Sequence, residues 1–479
     1  MESEEIFSRT ALDRQEEAGG QVSDRLFRLV LEHIRSGALP PGTRLPSVRN
    51  MAKRFGISPD TVVRAYQRLV HAADVEALRG SGYYVRADDP SSLQLAPAAI
   101  MKASAANGWE TLLRMDRPID RMPGTGLIQA PNETSDRARN ALRSALRTRP
   151  NLNPGYGDPQ GYLPLRRQLQ RKLASEGISC EPASIITATG ATGIMNIVVR
   201  GLVRPGDVAV VEDPGPFLHQ ILLLSQGAEI VTVPRKREGP YIEVLRKLCE
   251  AHRPRILFCS SMGHNPTGSA ITAANAHQML LLADEFNIVI VDDASYADLR
   301  PADAHTIWTP LAMLGGLRRV VHIGSFSRVM TPSLGVGYLA AGGVQLNRFR
   351  LFREIHGLGL NLIPERAMYQ LLEDGQFERR QRSLSKHIAV ERRRVISQLC
   401  EAGYRVDIPG TGPFVWLSLG TSERADMIHH RMAEQDFLAA PARIFTSSPD
   451  YSAFTRLNVT TTSPAALDIL AGGSSDGLL

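Results

Sequence analysis

The sequence predicts an α/β protein in two parts, an N-terminal winged helix-turn-helix and a large, doubly wound, mostly parallel sheet with a small C-terminal α+β subdomain. Three observations predict it. Beyond Ile185, short apolar runs without polar alternation recur between helical patterns, as in strands buried on both faces and joined by crossover helices. Ahead of them, two short helical patterns meet at a glycine and are followed by two strand patterns around Gly80-Ser81-Gly82. Between the two parts, residues 88–120 are polar and rich in Pro, Ala and Ser, which reads as a linker.

At 479 residues and 43% hydrophobic content the chain has room for one large and one small domain. Cys180, Cys249, Cys259 and Cys400 are far apart with no CxxC spacing, so neither a disulfide framework nor a zinc site is expected; isolated buried thiols in a reducing cytoplasm are. Residues 1–21 are polar and acidic, unlike a signal peptide, and are expected to be flexible. No apolar run reaches the roughly 18 residues of a membrane span, so no membrane partner is expected. The net charge of +6 is unevenly placed: Arg25 to Arg86 holds eleven Lys/Arg against four acids. That segment is either a solvated basic face or a polyanion-binding module.

In chain order, Ser23 is placed to cap a helix from Asp24 to about Arg35, with Leu26, Leu29, Val30 and Ile34 on one face. A second helix starts after Ser47 and stops at Gly56, burying Val48, Met51, Ala52 and Phe55. Ser58 caps a third, with Pro59 at its first position and Thr61, Val62, Ala65, Tyr66 and Leu69 following. Val75–Arg79 and Tyr83–Arg86 then form a hairpin wing. The string SGALPPGTRLPSVRNMAKRFGISPDTVVRAYQRL, followed by RGSGYYV, closely resembles the winged-helix domain of the GntR family of bacterial regulators, over residues 24–86 of a domain spanning 22–87. The resemblance implies DNA contact by Arg49, Ser58, Thr61 and Arg64. The physical reading agrees, since the third helix suits a major groove and Gly80 and Gly82 let the wing backbone approach a duplex. For Arg49 and Arg64 the alternative is an exposed helix charge. A glycine usual in that family is absent after the third helix, where His71-Ala72-Ala73-Asp74 stands.

From residue 121 to 479, strands are expected at 185–186, 208–211, 230–233, 256–259, 288–291 and 320–323. Beyond about Arg348, a long basic helical stretch and the strand-like PFVWLSL and RLNVTT suit the small subdomain, residues 348–479.

Thr189-Gly190-Ala191-Thr192 follows a strand and opens a helix, an arrangement that receives phosphate, though an ordinary capped loop looks the same. His264-Asn265-Pro266-Thr267-Gly268, Asp293-Ala294-Ser295-Tyr296 and VVHIGSFSRVMTPSLGVGYLA closely resemble segments of aspartate-aminotransferase-fold (fold-type-I) pyridoxal-phosphate enzymes. The resemblance implies that Asn265 and Tyr296 reach the cofactor's ring oxygen and that Asp293 holds its ring nitrogen protonated. It further implies that Tyr156 serves a neighbouring subunit's phosphate, that Arg456 binds an amino-acid carboxylate, and that Ser325 and Ser327 belong to the pocket. For Asp293 the alternative is a helix cap after a strand.

Three positions depart from that family. Arg328 stands where its lysine forms a Schiff base, and a guanidinium stays protonated and is not a nucleophile. Gly335 replaces a phosphate-binding arginine, and Pro216 takes the place of a ring-stacking aromatic, with Phe217 one step out of register. A protonated Arg328 is expected to compensate in part for the missing phosphate cation.

A GntR-type winged helix joined by a linker to an aminotransferase-like domain resembles the MocR/GabR family of bacterial regulators along nearly the whole chain. This implies a cytoplasmic, nucleoid-associated transcription factor with three kinds of partner: double-stranded DNA, a second copy in a head-to-tail homodimer, and a small effector. Pyridoxal phosphate or a related vitamin B6 form is expected to be held non-covalently or to have been lost; no metal and no catalytic residue is expected. Three readings remain: a regulator that senses a vitamin B6 form, an amino acid or a related amine; a regulator whose large domain is only a dimerisation scaffold; and an active aminotransferase with a DNA-binding appendage. Arg328 counts against the last.

Overall fold

A computed structural model of the chain describes residues 22–35, 39, 42–71, 75–78, 82–85, 104, 108–113, 116–130, 133–147, 158–300, 309–357, 362–406 and 412–472. The described chain forms two compact units, residues 1–95 and 96–479.

In the first unit, α1 (Val22–Arg35), α2 (Val48–Phe55) and α3 (Pro59–His71) precede the antiparallel pair β1 (Val75–Leu78) and β2 (Gly82–Val85). The first helix begins before the expected cap, so Ser23 lies buried inside it. The other two start as their sequences dictate. Ser47 accepts the Asn50 N–H, Ser58 accepts the Thr61 N–H at 3.2 Å, and Gly56 ends α2 in the left-handed conformation at φ 68°. Leu26, Val30, Met51, Phe55, Val62, Tyr66 and Leu69 close one core, and the Tyr66 hydroxyl donates to the Pro46 carbonyl at 2.9 Å. Residues 1–21 lie outside the described residues.

The second unit is built on an eight-stranded sheet of order β3-β10-β9-β8-β7-β4-β5-β6. Its strands are β3 (Ile185–Thr189), β4 (Val208–Asp213), β5 (Glu229–Lys236), β6 (Gly239–Pro240), β7 (Ile256–Cys259), β8 (Val289–Asp293), β9 (Val320–Ser325) and β10 (Val336–Ala340). The six expected strands are all present, and neighbours among β9, β8, β7, β4 and β5 pair in parallel. β10 inserts antiparallel between β3 and β9, and β6 pairs antiparallel on the edge. Successive residues feed opposite layers that are both buried: Ala209 and Val211 enter one core and Val210 the other, as do Ile256 and Phe258 against Leu257. The absence of polar alternation follows from this double burial.

Within the expected linker, one short helix is seated on this unit. Helix α4 (Trp109–Leu113) buries Trp109 against a cluster with Phe445, and the indole N–H donates to the Ile444 carbonyl at 3.1 Å. Helix α5 (Gly190–Leu202) follows β3, and α6 (Phe217–Ser225) follows β4. The small subdomain has the long basic helix α7 (Gln376–Glu401), on which Lys386 is exposed, and the antiparallel pair β11 (Phe414–Ser418) and β12 (Phe454–Asn458). Two of the four thiols, Cys249 and Cys259, are buried as expected. Cys180 is only half-buried and Cys400 is exposed, because it falls on the solvent side of α7.

Candidate functional site

On the small unit, Arg49 near the start of α2 and Arg64 on α3 are both exposed, and neither has an acidic partner among the described residues. The hydroxyls of Ser58 and Thr61 share a hydrogen bond of 2.8 Å at the N-terminus of α3. Gly82 opens β2 at φ 117°, where a side chain would be strained, and a Cβ there would lie 3.4 Å from Arg44 Nε. Arg44, to which sequence reasoning assigned nothing, thus packs on the wing and reaches over the Tyr84 ring at 5.9 Å. Its only signal was a cation in the turn before α2. Gly80 lies outside the described residues.

The large unit has a cavity of about 390 Å³ beyond the C-terminal ends of β3, β4, β7, β8 and β9, where open α/β sheets place ligands. The sequence-predicted Gly190, Ala191, Thr192, Asn265, Asp293, Tyr296, Ser325, Ser327, Arg328 and Arg456 all line it. They are delivered by separate elements: the start of α5, the turn after β7, the end of β8, the end of β9 and β12. Tyr156 lies outside the described residues. Among the lining residues none is a lysine.

Asp293 closes β8 almost fully buried. Burial pushes its carboxyl up, but the His219 contact and the Ser295 hydrogen bonds outweigh this and hold it below the usual aspartate value. His219 Nε2 lies 3.1 Å from Asp293 Oδ2, the Ser295 N–H donates to Oδ1 at 3.1 Å, and the Ser295 hydroxyl donates to the same oxygen. Sequence reasoning missed His219; a histidine in the otherwise apolar start of α6 was the available signal.

Arg456 is buried at 2% exposure between the rings of Phe414 and Phe445, 4.6 and 4.7 Å from their centroids. Its Nη1 donates to Asn265 Oδ1 at 2.5 Å, its Nη2 donates to the Gly124 carbonyl, and its Nε meets no acceptor. Burial pushes its pKa down to about 10; Tyr296 opposes the shift and Arg328 adds to it. The Tyr296 hydroxyl donates to the Gly126 carbonyl at 3.1 Å. In this structure, therefore, Asn265 and Tyr296 turn toward Arg456 and the Gly124–Leu127 segment.

The Arg328 guanidinium lies over the Tyr296 ring, 4.9 Å from its centroid, and adjoins Gly126. The head group thus lies on the Tyr296 and Gly126 wall, near enough to Arg456 for the two charges to interact. Gly335 caps a short 3-10 turn at φ 58°, and its carbonyl accepts the Gly190 N–H at 2.7 Å. Pro216 and Phe217 both line the cavity, and the Phe217 ring is stacked on Trp109 at 6.2 Å. Leu112 of α4 adds an apolar wall that sequence reasoning could not place.

Residues 127–473 match the family described as aminotransferase class I and II, and residues 22–85 match the bacterial regulatory proteins of the gntR family. YdcR of Escherichia coli (strain K12), an uncharacterized HTH-type transcriptional regulator, is 24% identical over 452 residues, covering 91% of this chain and 94% of its own. The probable rhizopine catabolism regulatory protein MocR of Rhizobium meliloti is 28% identical over 403 residues, 81% of this chain and 78% of its own. Among solved structures, the kynurenine aminotransferase of Pyrococcus horikoshii superposes with a TM-score of 0.68 at 20% identity, covering 75% of this chain and 91% of that one.

Proposed function

We propose that this chain, which belongs to the aminotransferase class I and II family and carries a gntR-family domain ahead of it, is a DNA-binding transcriptional regulator whose large domain senses a small molecule without converting it. One observation carries the reading: a basic winged helix with exposed Arg49 and Arg64 is joined to an aminotransferase-family cavity that, among the described residues, no lysine lines. Helix α3 enters a major groove, with Arg64 reaching a base edge or a phosphate and Ser58 and Thr61 at its leading end. Arg49 takes a phosphate, and the wing passes close to the backbone at Gly80 and Gly82. The regulator acts as a head-to-tail homodimer on two half-sites.

The fold family implies pyridoxal phosphate, and the residues fit it in part. The ionised, buried Asp293 suits a protonated pyridine nitrogen, and the start of α5 with Ser325 and Ser327 suits a phosphate. With Arg328 in the lysine position the covalent link does not fit. Such a group supplies an electron sink to amino-acid chemistry when bound; here Asp293, His219 and Ser295 hold and orient it non-covalently. The retention of Asn265, Asp293, Tyr296 and Arg456 in one cavity favours a sensor over a pure dimerisation scaffold.

The test is selection of binding sequences from random duplexes by the full chain, followed by affinity and salt titrations. The wild type should enrich a two-half-site sequence. Arg49→Ala should weaken binding and reduce the salt slope by about one, and Arg64→Ala should also relax sequence preference if it reads a base. No enrichment, or unchanged affinity in both variants, overturns the assignment.

A further inference from the structure

Two guanidiniums share the cavity without an acid of their own. Among the described residues Asp293 is the only carboxylate that lines it, and His219 and Ser295 already engage its oxygens. Among the described residues the hydrogen-bond acceptors of Arg456 are an amide oxygen and a backbone carbonyl, and its buried Nε has none. Among the described residues Arg328 lies over the face of Tyr296 and has no acidic partner. Arg456 is buried with one N–H unmet and Arg328 is half-buried, and a carboxylate received by a guanidinium fork makes a strong, directional contact. The two cations are close enough that Arg328 contributes to lowering the Arg456 pKa, a repulsion that an anionic ligand would relieve.

Position separates this pair from the phosphate corner. A Cβ built on Gly190 lies 4.0 Å from Ser327 Oγ, at the start of α5, while one built on Gly126 lies 3.8 Å from Arg328 Nη2 and close to the Tyr296 hydroxyl. The remaining walls at the cation end are largely apolar or neutral, including Leu112, Leu127 and Phe217. A ligand with a single carboxylate leaves one cation unpaired; one with two carboxylates on a short carbon chain leaves neither.

We propose that the effector is a small dicarboxylate, held with one carboxylate on Arg456 and the other on Arg328. This rests on the reading of the large domain as a non-catalytic sensor. The position at which an enzyme would carry its nucleophile serves here as the second half of a diacid clamp.

Isothermal titration of the full chain with succinate, glutarate and L-glutamate, against butyrate and pentanoate of matching length, tests it. At least one diacid should bind, about 10- to 100-fold more tightly than the monoacid of the same length, the range expected for one charged hydrogen-bonding contact. Arg328→Gln should erase that preference, lowering diacid affinity much more than monoacid affinity; Arg328→Lys, which keeps the charge but not the fork, should retain a reduced preference. Near-ultraviolet circular dichroism of each variant checks that it is folded. Equal mono- and diacid affinity, an undiminished preference in Arg328→Gln, or no diacid binding overturns the clamp. DNA binding measured on the same samples separates the two readings: specific DNA binding without diacid binding removes the clamp and leaves the regulator, and the converse removes the regulator and leaves the clamp.

Discussion

Gly335 and Arg328 were both legible in the sequence as departures from a resembled motif, but the direction of the Arg328 side chain was not. Direction is set by Tyr296 and Gly126, which are distant in the chain and adjoin Arg328 only after β8 and β9 pair. Asp293, Asn265 and Arg456 were legible because each sits in a short motif, whereas His219 has no motif and is defined by its 3.1 Å contact across the fold. At Gly335, φ 58° makes any side chain strained although a Cβ would meet only ordinary contacts, so Gly335→Arg should lower stability by about 1–2 kcal/mol, read from urea midpoints. A second residue gives a pH dependence. His429 is half-buried with both ring nitrogens unpartnered; burial, then the charge of Arg443, pushes its pKa from 6.5 down to about 4, with Asp426 opposing. The folded state therefore keeps His429 neutral while the unfolded chain takes up a proton below pH 6.5. Stability should be full above that pH and fall as pH drops toward 4, by at most about 3 kcal/mol from this group. His429→Leu should flatten the pH profile of urea unfolding between pH 7 and 5, although buried His264, shifted the same way, keeps some slope. A profile identical to the wild type would show that His429 is not the source.

Elements with a local signal agree with their sequences. α2 and α3 have hydroxyl caps, and the central strands have runs that only double burial explains. The elements that were not legible depend on partners remote in sequence. β10 reads as one more apolar run, and nothing local says that it lies antiparallel between β3 and β9. α4 is five residues long, too short to be stable by itself, and exists because Trp109 finds a pocket beside Phe217 and Phe445. Ser47→Ala, which removes the cap of α2, should cost about 1 kcal/mol and lower the melting temperature of the DNA-binding unit. Tyr66→Phe, which leaves the Pro46 carbonyl without its donor, should cost a similar amount, about 1 kcal/mol. Scanning calorimetry of the full chain reads both, and a melting transition unchanged by either would contradict the packing described.

For the molecule as a whole, the prediction is an absence of chemistry despite the family to which the large unit belongs. Incubation with pyridoxal phosphate and borohydride should add no mass to the segment carrying Arg328, and amino-group transfer to keto acids should stay at the uncatalysed rate. Turnover by any route would return the chain to the enzymes. Supplying a lysine would not by itself reverse the change. The carbonyl of Gly335 secures the first residue of α5, and its left-handed backbone is a conformation that side-chain-bearing residues rarely adopt. A cation placed at position 335 would therefore have to arrive with a reshaped turn, so that Arg328→Lys and Gly335→Arg should not combine as two independent additions.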